Sequence, residues 1–332
     1  MSQRSRKSRR IRPWWLAGVF ALAAAVVGLW PSQDFSSEPV SVRVPKDSTR
    51  VLEVLDSVAK QNPKAHLNLL RFGARLQGNF QVPRGYYEIS PSDPWWRSLR
   101  RLKMGYETPR SLVVRGYQGR AALVERLATT FFEPADELDS ALFGGDSIVP
   151  VLPNTYEVYA SLTPTEVAER MGREFDAFWN AQRCTAATEL GLSRYEVAVL
   201  ASIVQAESKE PSEWPRIAGV YLTRLKQGKR LEADPTVVYA VLDRGLAEAP
   251  IRRVTGAMLR VAHPFNTYRN KGLPPGPLAT VHPPVIDSVL ASRATGELFF
   301  CANPAKPGFH LFSKSYAEHL RNRSRYLKAI TR

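Results

Sequence analysis

Cysteine and histidine are scarce in this chain. Its 332 residues contain two cysteines, Cys184 and Cys301, and five histidines scattered along the sequence. A zinc or iron–sulfur centre needs clustered Cys and His ligands. No such spacing is present, so the sequence implies no metal and no cofactor. The two cysteines could pair in an oxidising compartment or serve as small apolar core residues, and their separation in sequence does not decide between these.

Motifs for binding nucleotides or nucleic acids are also absent. The chain has no P-loop, no zinc-finger spacing and no aromatic-basic ribonucleoprotein motif. Its formal net charge is +15, but six positive charges lie in the first twelve residues, which leaves about +9 for the remainder. This excess could suit an anionic polymer or a membrane surface. Without a motif, it does not predict nucleic acid as a partner.

Only one hydrophobic run is long enough to cross a membrane. It extends from Trp14 to Trp30 without a charge and follows the basic leader at 1–12. As a helix it would span about 26 Å. Tryptophan at both ends is typical of membrane interfaces, and the basic leader predicts a cytoplasmic N-terminus. A cleaved signal peptide is the alternative, but the length and the closing Trp30-Pro31 favour an uncleaved anchor at 13–31.

Two regions of different pattern follow a linker at 32–39. Residues 40–116 mix short strand and helix patterns and predict a small α+β module. Residues 117–332 are dominated by helical patterns with two short strands near the end and predict a larger mixed α+β domain. The helices expected there are Ala121–Phe132, Thr163–Arg183, one starting at Ser193, Trp214–Gln227 and Thr236–Leu242.

Glu207 is the candidate catalytic residue. It ends a run of strongly apolar residues, and on a helix it shares one face with Leu200, Ile203 and Val204. A carboxyl group in line with three aliphatic side chains loses water, so its pKa rises and it can hold a proton near neutral pH. A general acid acting on a glycosidic bond needs this property. The alternative is a helix that reaches the surface as Glu207 arrives.

The helix that carries Glu207 has a clear start signal. Ser193 and Glu196 have the spacing of a capping box, in which each side chain binds the backbone N–H of the other residue. Gln205 lies about 200° around the helix from Glu207 and should face elsewhere. Glu210 and Glu213 follow beside prolines and are expected to be solvated.

Four sequence blocks in the second half occur in an order that resembles a known family. They are Leu200–Glu207, Leu231–Tyr239, Phe265–Tyr268 with Gly272–Pro277, and Gly308–Phe312 with Glu318-His319. Together with the N-terminal anchor, they resemble the endolytic murein transglycosylase (MltG/YceG-like) family. The resemblance covers about residues 120–326, and more weakly the first module, which is LysM-like in that family.

The resemblance implies an enzyme of the bacterial inner membrane with its catalytic domain in the periplasm. Such enzymes cleave peptidoglycan glycan strands between N-acetylmuramic acid and N-acetylglucosamine and leave a 1,6-anhydromuramyl end. Peptidoglycan synthases are candidate partners. The family's catalytic glutamate falls on Glu207, and many relatives have a glutamate where this chain has Gln205. Phe265 stands where a tyrosine is usual.

Five further residues are candidate substrate contacts. Asp234 could act as a second carboxylate, but an Asp before Pro235 can also cap the next helix. Glu232 could bind sugar hydroxyls or be solvated, and Tyr239 could stack on a sugar or fill the core. Asn266 and Tyr268 offer amide and phenol donors suited to glycans, although loop residues of this kind also bind their own backbone. His310 is expected to hold a loop in place.

The sequence leaves two other functions open. A hydrolytic muramidase would use Asp234 as its second carboxylate, since hydrolysis needs a group to act as a nucleophile or to activate water. A wall-binding scaffold would use the small module and no chemistry. The main expectation is a transglycosylase in which Glu207 acts first as acid and then as base.

Overall fold

The computed structural model describes residues 39–47, 49–61, 67–90, 93–117, 119–144, 148–251 and 253–330. Its contacts divide the chain into two compact units. One contains the described residues up to Arg110 together with Tyr159–Ser161, and the other contains Ser111–Val158 and the described residues from Leu162 onward. Both mix helices and short two-stranded sheets, so the α+β class predicted from the sequence is confirmed.

The first unit is an antiparallel strand pair covered by helices. Strand β1 alternates apolar and polar residues, so its three valines all face inward. Val40 lies opposite Ile89, and both are buried in the core of this unit. The elements are β1 (Val40–Val44), α1 (Val51–Gln61), α2 (Asn68–Leu76), β2 (Gly85–Ile89) and α3 (Trp95–Met104).

The second unit begins with one sheet and three helices that share a core. The buried side chains of this core include Leu112, Phe131, Tyr156 and Met171. Helix α6 starts with a capping box at Thr163, whose hydroxyl accepts from the backbone N–H of Glu166. The elements are β3 (Arg110–Val114), α4 (Arg120–Phe131), α5 (Ala135–Phe143), β4 (Asn154–Val158) and α6 (Pro164–Phe178).

The remaining elements of this unit surround one buried helix, α8. Every residue of α8 from Val197 to Val204 is buried, and α8 packs against α9, α10 and α11. Helix α12 packs on the β5–β6 hairpin. The elements are α7 (Ala181–Leu190), α8 (Arg194–Glu207), α9 (Trp214–Lys226), α10 (Asp234–Asp243), α11 (Pro283–Leu290), β5 (Phe299–Ala302), β6 (His310–Ser313) and α12 (Tyr316–Ile330).

The capping box at the start of α8 is confirmed. The backbone N–H of Glu196 donates to Ser193 Oγ at 3.2 Å, and the N–H of Ser193 donates to Glu196 Oε2 at 2.8 Å. The helix ends where Ser208 adopts an extended conformation. Glu207 is therefore the last residue of α8, and the buried segment from Val197 to Val204 fixes the position of this helix.

The prediction of one helix from Thr163 to Arg183 is wrong. Helix α6 ends at Phe178, and α7 starts at Ala181 with Asn180 as its N-cap. The Asn180 side chain accepts from the backbone N–H of Arg183 at 2.9 Å. Because this hydrogen bond satisfies a free N–H group of the new helix, the chain can turn there at low cost.

Two further predictions concern the termini and the cysteines. The predicted anchor Trp14–Trp30 lies outside the described residues, and within the described ranges no helix is both long and apolar enough to cross a membrane. Cys184 and Cys301 are partly buried free thiols. The disulfide considered from the sequence is therefore not formed.

Candidate active site

Glu207 lies in a large cleft of the second unit. The cleft has a volume of about 1650 Å³. This exceeds the roughly 300–1,000 Å³ of ordinary ligand pockets, so the cleft has room for a ligand larger than a single small molecule. Residues from several elements line it, among them Glu207, Tyr221, Glu232, Asp234, Tyr239 and Tyr268.

The carboxyl group of Glu207 has a direct partner in Tyr221. The Tyr221 hydroxyl donates to Glu207 Oε1 at 2.6 Å. Tyr221 is 2% exposed, and its ring lies edge-on to Phe300 with a centroid separation of 6.0 Å. Burial and the contact with Phe300 therefore hold the Tyr221 ring and its hydroxyl in place, which leaves Glu207 Oε2 as the oxygen available to a ligand.

Burial raises the pKa of Glu207 to about 7. Loss of water from the charged form is the largest cause, because the carboxyl group lies at the end of an apolar helix. The hydrogen bond from Tyr221 opposes this rise, the negative charge of Asp234 adds to it, and the positive charge of Arg224 reduces it. The raised pKa predicted from the apolar stripe agrees with this environment.

Arg224 fixes the wall beside Glu207. Its Nε donates to the carbonyl of Leu298 at 2.7 Å, and its Nη1 donates to the carbonyl of Leu231 at 2.8 Å and to Glu232 Oε2 at 3.0 Å. The residue is buried. A desolvated guanidinium with this many acceptors holds α9, the 230–232 loop and the start of the last hairpin in one arrangement.

Tyr221 and Arg224 were not identified from the sequence. They are three residues apart on α9, so they lie on the same face of that helix. The signal in the sequence is two polar side chains at this spacing in the run from Ile217 to Leu225, which is apolar apart from them and Thr223. The partner of Tyr221, however, is Glu207 on another helix, and the partners of Arg224 are in the 230–232 loop and at Leu298. Sequence spacing does not show which of these segments pack together.

Asp234 does not have the capping role that was predicted. The N-cap of α10 is Ala233, and no side chain caps this helix, so that prediction is wrong. Instead, Asp234 lines the cleft, and its Oδ1 accepts a hydrogen bond from the Tyr268 hydroxyl at 2.7 Å. Burial and the carboxylate of Asp234 raise the pKa of Tyr268, so this phenol stays protonated. The two predicted residues thus meet in the cleft as a pair.

Asn266 does not line the cleft. It is 0% exposed, and its amide donates to the carbonyls of Leu259 and Val261 at 3.1 and 2.8 Å. Its Oδ1 accepts from the backbone N–H of Tyr268 at 3.0 Å. The substrate contact predicted for Asn266 is therefore wrong, because the loop's own backbone occupies its polar atoms. Its effect on the cleft is to position Tyr268.

Tyr239 and Glu232 both line the cleft. The Tyr239 ring is stacked on Phe265 with a centroid separation of 4.2 Å, so one of its faces is covered by protein. Glu232 has a backbone φ of 49°, a left-handed conformation that is uncommon for a residue other than glycine. Its carboxylate pairs with Arg224 at 3.0 Å, and its side chain is 45% exposed. Glu232 is thus held in place while remaining accessible.

Gln205 and Glu213 have structural contacts. Gln205 faces away from Glu207 as predicted: its amide donates to the Thr280 carbonyl, and its Oε1 accepts from the N–H of His282, both at 2.9 Å. Glu213 is 7% exposed, so the prediction that it is solvated is wrong. It accepts from the N–H of His310 and lies 2.8 Å from His310 Nδ1, which confirms His310 as a residue that holds its loop in place.

The family model of the YceG-like family matches residues 42–325. This chain belongs to the YceG-like family. The match covers both units and confirms the resemblance found from the sequence blocks around Glu207.

Two relatives of this chain are named endolytic murein transglycosylases. The endolytic murein transglycosylase of Bacillus subtilis is 32% identical over 138 residues, which is 42% of this chain and 36% of that protein. The enzyme of the same name from Streptococcus pneumoniae is 22% identical over 342 aligned positions, which cover 92% of this chain and 61% of the relative. The chain thus corresponds to less than two thirds of the length of either relative.

A solved structure supports the fold. The crystal structure of a YceG-like protein from Listeria monocytogenes superposes with a TM-score of 0.53 and 22% sequence identity. The match covers 86% of this chain and 99% of the Listeria chain. At this identity the likeness concerns the fold.

Proposed function

We propose that this protein is an endolytic lytic transglycosylase of peptidoglycan. It would cleave the bond between N-acetylmuramic acid and N-acetylglucosamine within glycan strands. The observation that carries the proposal is the carboxyl group of Glu207, which lies in a polymer-sized cleft with its pKa raised to about 7. Membership of the YceG-like family and the name of the Bacillus and Streptococcus relatives support the same reaction.

In the first step Glu207 acts as a general acid. A glycosidic bond breaks through an oxocarbenium-like transition state when the leaving oxygen receives a proton. With a pKa of about 7, a useful fraction of Glu207 is protonated at neutral pH. Tyr221 occupies Oε1, so the proton is delivered from Oε2 to the glycosidic oxygen as the C1–O bond breaks.

In the second step the same carboxylate acts as a base. The C6 hydroxyl of the muramic acid attacks its own C1, and Glu207 takes the hydroxyl proton and returns to the acid form. The products are a free 4-hydroxyl on one strand and a 1,6-anhydro end on the other, and no water is consumed. An intramolecular attack supplies a high effective concentration of nucleophile, so one carboxyl group is sufficient.

Glu232, Asp234, Tyr239 and Tyr268 are the proposed substrate contacts. All four line the cleft that contains Glu207. Asp234 and Tyr268 present a hydrogen-bonded carboxylate and phenol to a glycan, while Glu232 offers an accessible carboxylate held by Arg224. Tyr239 lines the cleft with one ring face stacked on Phe265, and the part of its ring that reaches the cleft can pack on a sugar ring.

Hydrolysis with Asp234 as the second carboxylate is the alternative reaction. It is favoured by one observation: Asp234 is near enough for its charge to raise the pKa of Glu207. In that reaction Asp234 would activate water or form a covalent intermediate, and the product would have a reducing end. Its engagement with Tyr268 at 2.7 Å favours a positioning role over this one.

Mass spectrometry of the products tests both reactions. Purified sacculi are digested with the full chain, with Glu207→Gln and with Glu210→Gln, a matched control three residues away that does not line the cleft. We expect 1,6-anhydromuropeptides from the wild type and the control and none from Glu207→Gln. Reducing ends would support hydrolysis, and the absence of any cleavage by the wild type would support a wall-binding scaffold.

We also propose the domain arrangement and the membrane anchor. Residues 13–31 would form a single span that leaves the chain outside the cytoplasm, followed by a LysM-like module at 40–116 and a catalytic domain at 117–332. The charge-free run from Trp14 to Trp30 after a basic leader supports this topology. A periplasmic reporter fused after Arg332 should be active in a bacterial host; an inactive, cytoplasmic reporter would exclude it.

A further inference from the structure

One wall of the cleft consists of a face of α12 together with strand β5. Helix α12 contributes Tyr316, His319, Arg323, Tyr326 and Leu327, and β5 contributes residues 299–302. The helix residues are spaced three, four, three and one positions apart, which puts them on one side of a helix. We refer to these residues as the α12 wall.

The charge of the α12 wall differs from that of the rest of the cleft. Among the described residues that line this wall, Arg323 is the single charged side chain at neutral pH apart from the titratable His319, and the one acidic residue of α12, Glu318, is not a lining residue. The carboxylates of Glu207, Glu232 and Asp234 lie elsewhere in the lining. An anion can therefore bind at the α12 wall without a carboxylate in that wall to repel it. A second exposed arginine, Arg253, lines the cleft outside this wall, so the aromatic side chains beside Arg323 are what distinguish the α12 wall.

Arg323 is available to bind a ligand. It is exposed, and in the described part of the chain its guanidinium has neither an ion pair nor a hydrogen bond. The nearby Arg224, by contrast, is buried and occupied by three carbonyls and Glu232. Burial, followed by the positive charges of Arg323 and Arg224, lowers the pKa of His319. Arg323 thus adds positive charge to this region without a carboxylate partner of its own, whereas the charge of Arg224 is paired with Glu232.

Aromatic side chains lie at the same wall. The rings of Phe299 and His319 are stacked with a centroid separation of 5.2 Å, and Tyr316 lies 5.7 Å from Phe299. Tyr316 is 61% exposed, so its ring offers an open apolar surface in the cleft. A cation beside a flat aromatic surface fits a ligand that combines a carboxylate with amide or aliphatic groups.

We propose that the α12 wall binds the peptide stem of the glycan substrate and that Arg323 receives one of its free carboxylates. This inference rests on the proposed action on peptidoglycan strands. The sugars of such a strand are neutral wherever muramic acid is joined to a stem, whereas the stem carries free carboxylates. The neutral backbone would then follow the part of the cleft around Glu207, and the α12 wall would distinguish substituted strands from bare ones.

The test compares two substrates and three proteins. Uncross-linked strands with peptide stems, and the same strands after an amidase has removed the stems, are given to the wild type, Arg323→Gln and Arg325→Gln. Arg325 is an exposed arginine on the same helix that does not line the cleft, and glutamine has a helix propensity close to that of arginine. Helical content by circular dichroism verifies that each variant is folded.

We expect Arg323→Gln to lower kcat/KM on peptide-bearing strands by about tenfold, through a higher KM. A tenfold loss is at the lower end of what removal of a charge-assisted hydrogen bond causes. Arg325→Gln should match the wild type, and all three proteins should be equal on bare strands. An equal loss on both substrates would assign the effect of Arg323 to the glycan backbone that both share and overturn the stem site. A loss confined to bare strands would overturn it too, because only there has the amidase freed the carboxyl group of muramic acid. No difference between Arg323→Gln and Arg325→Gln would overturn it as well. If the wild type cleaves neither substrate, the proposed function itself fails.

Discussion

Replacing Tyr221 by phenylalanine removes the hydroxyl that donates to Glu207 Oε1 at 2.6 Å and leaves the buried ring in place. This hydrogen bond favours the charged form of Glu207, so its loss should raise the pKa above the present value of about 7. A hydrogen bond to a charged group is worth about 1.5–3 kcal/mol, against about 1 kcal/mol for a neutral pair. A difference near 1.4 kcal/mol lowers the ionisation constant of Glu207 by about tenfold.

The assay is the pH dependence of kcat/KM on soluble glycan strands. A general acid must be protonated, so the wild-type activity should fall as the pH rises through about 7. In Tyr221→Phe the fall should occur at a higher pH. The plateau at low pH should also drop, because Glu207 loses the contact that fixes the direction of its proton.

Tyr195→Phe is the matched control. The Tyr195 hydroxyl also donates at 2.6 Å, but its acceptor is the carbonyl of Pro275, and Tyr195 does not line the cleft. This variant loses a hydrogen bond of the same length without touching Glu207, so its pH profile should match the wild type. A Tyr221→Phe profile with an unchanged or lowered midpoint would refute the assignment of Glu207 as the acid held by Tyr221.

Three further predictions follow from contacts in the second unit. Glu207→Gln should stabilise the fold at pH 8 by at most about 3 kcal/mol and have little effect at pH 4, measured by denaturant unfolding. The folded pKa of about 7 exceeds the ordinary glutamate pKa of 4.5, so stability falls as the pH rises between these values. Asp234→Asn should move the midpoint of kcat/KM to lower pH, because the charge of Asp234 raises the pKa of Glu207, and the products should keep their anhydro ends. His310→Ala should lower the free energy of unfolding by about 1–3 kcal/mol, since Glu213 is buried and loses the imidazole 2.8 Å away; unchanged urea unfolding would contradict this.

The features predicted correctly from the sequence are mainly local ones. The capping box at Ser193 involves residues three apart, and the alternation of β1 concerns a single strand. The stripe that marks Glu207 is likewise a property of one helix. Such signals survive in the fold because the contacts that they describe form within a few residues of chain.

The features that were missed depend on packing between distant segments. Tyr221 has its role because α9 lies beside α8, and Asp234 meets Tyr268 across 34 residues of chain. Asn266 is the opposite case, a residue for which the sequence predicts a ligand contact that the packing of its loop rules out. A loop amide can bind a ligand or its own backbone, and only its complete burial decides for the backbone.

The chemistry proposed for Glu207 and the stability of the fold depend on the same burial. The apolar end of α8 keeps the carboxyl group protonated up to about pH 7, which suits a general acid, but the charged form that must follow proton transfer is then unfavourable. Tyr221 and the positive charge of Arg224 both favour that charged form. A carboxyl group that serves in turn as acid and base needs both influences, because burial alone would retain the proton and solvation alone would release it too early. Arg224 therefore contributes more than its hydrogen bonds to the wall of the cleft. Its charge also opposes the rise in the pKa of Glu207 and favours the charged form that the proposed second step requires.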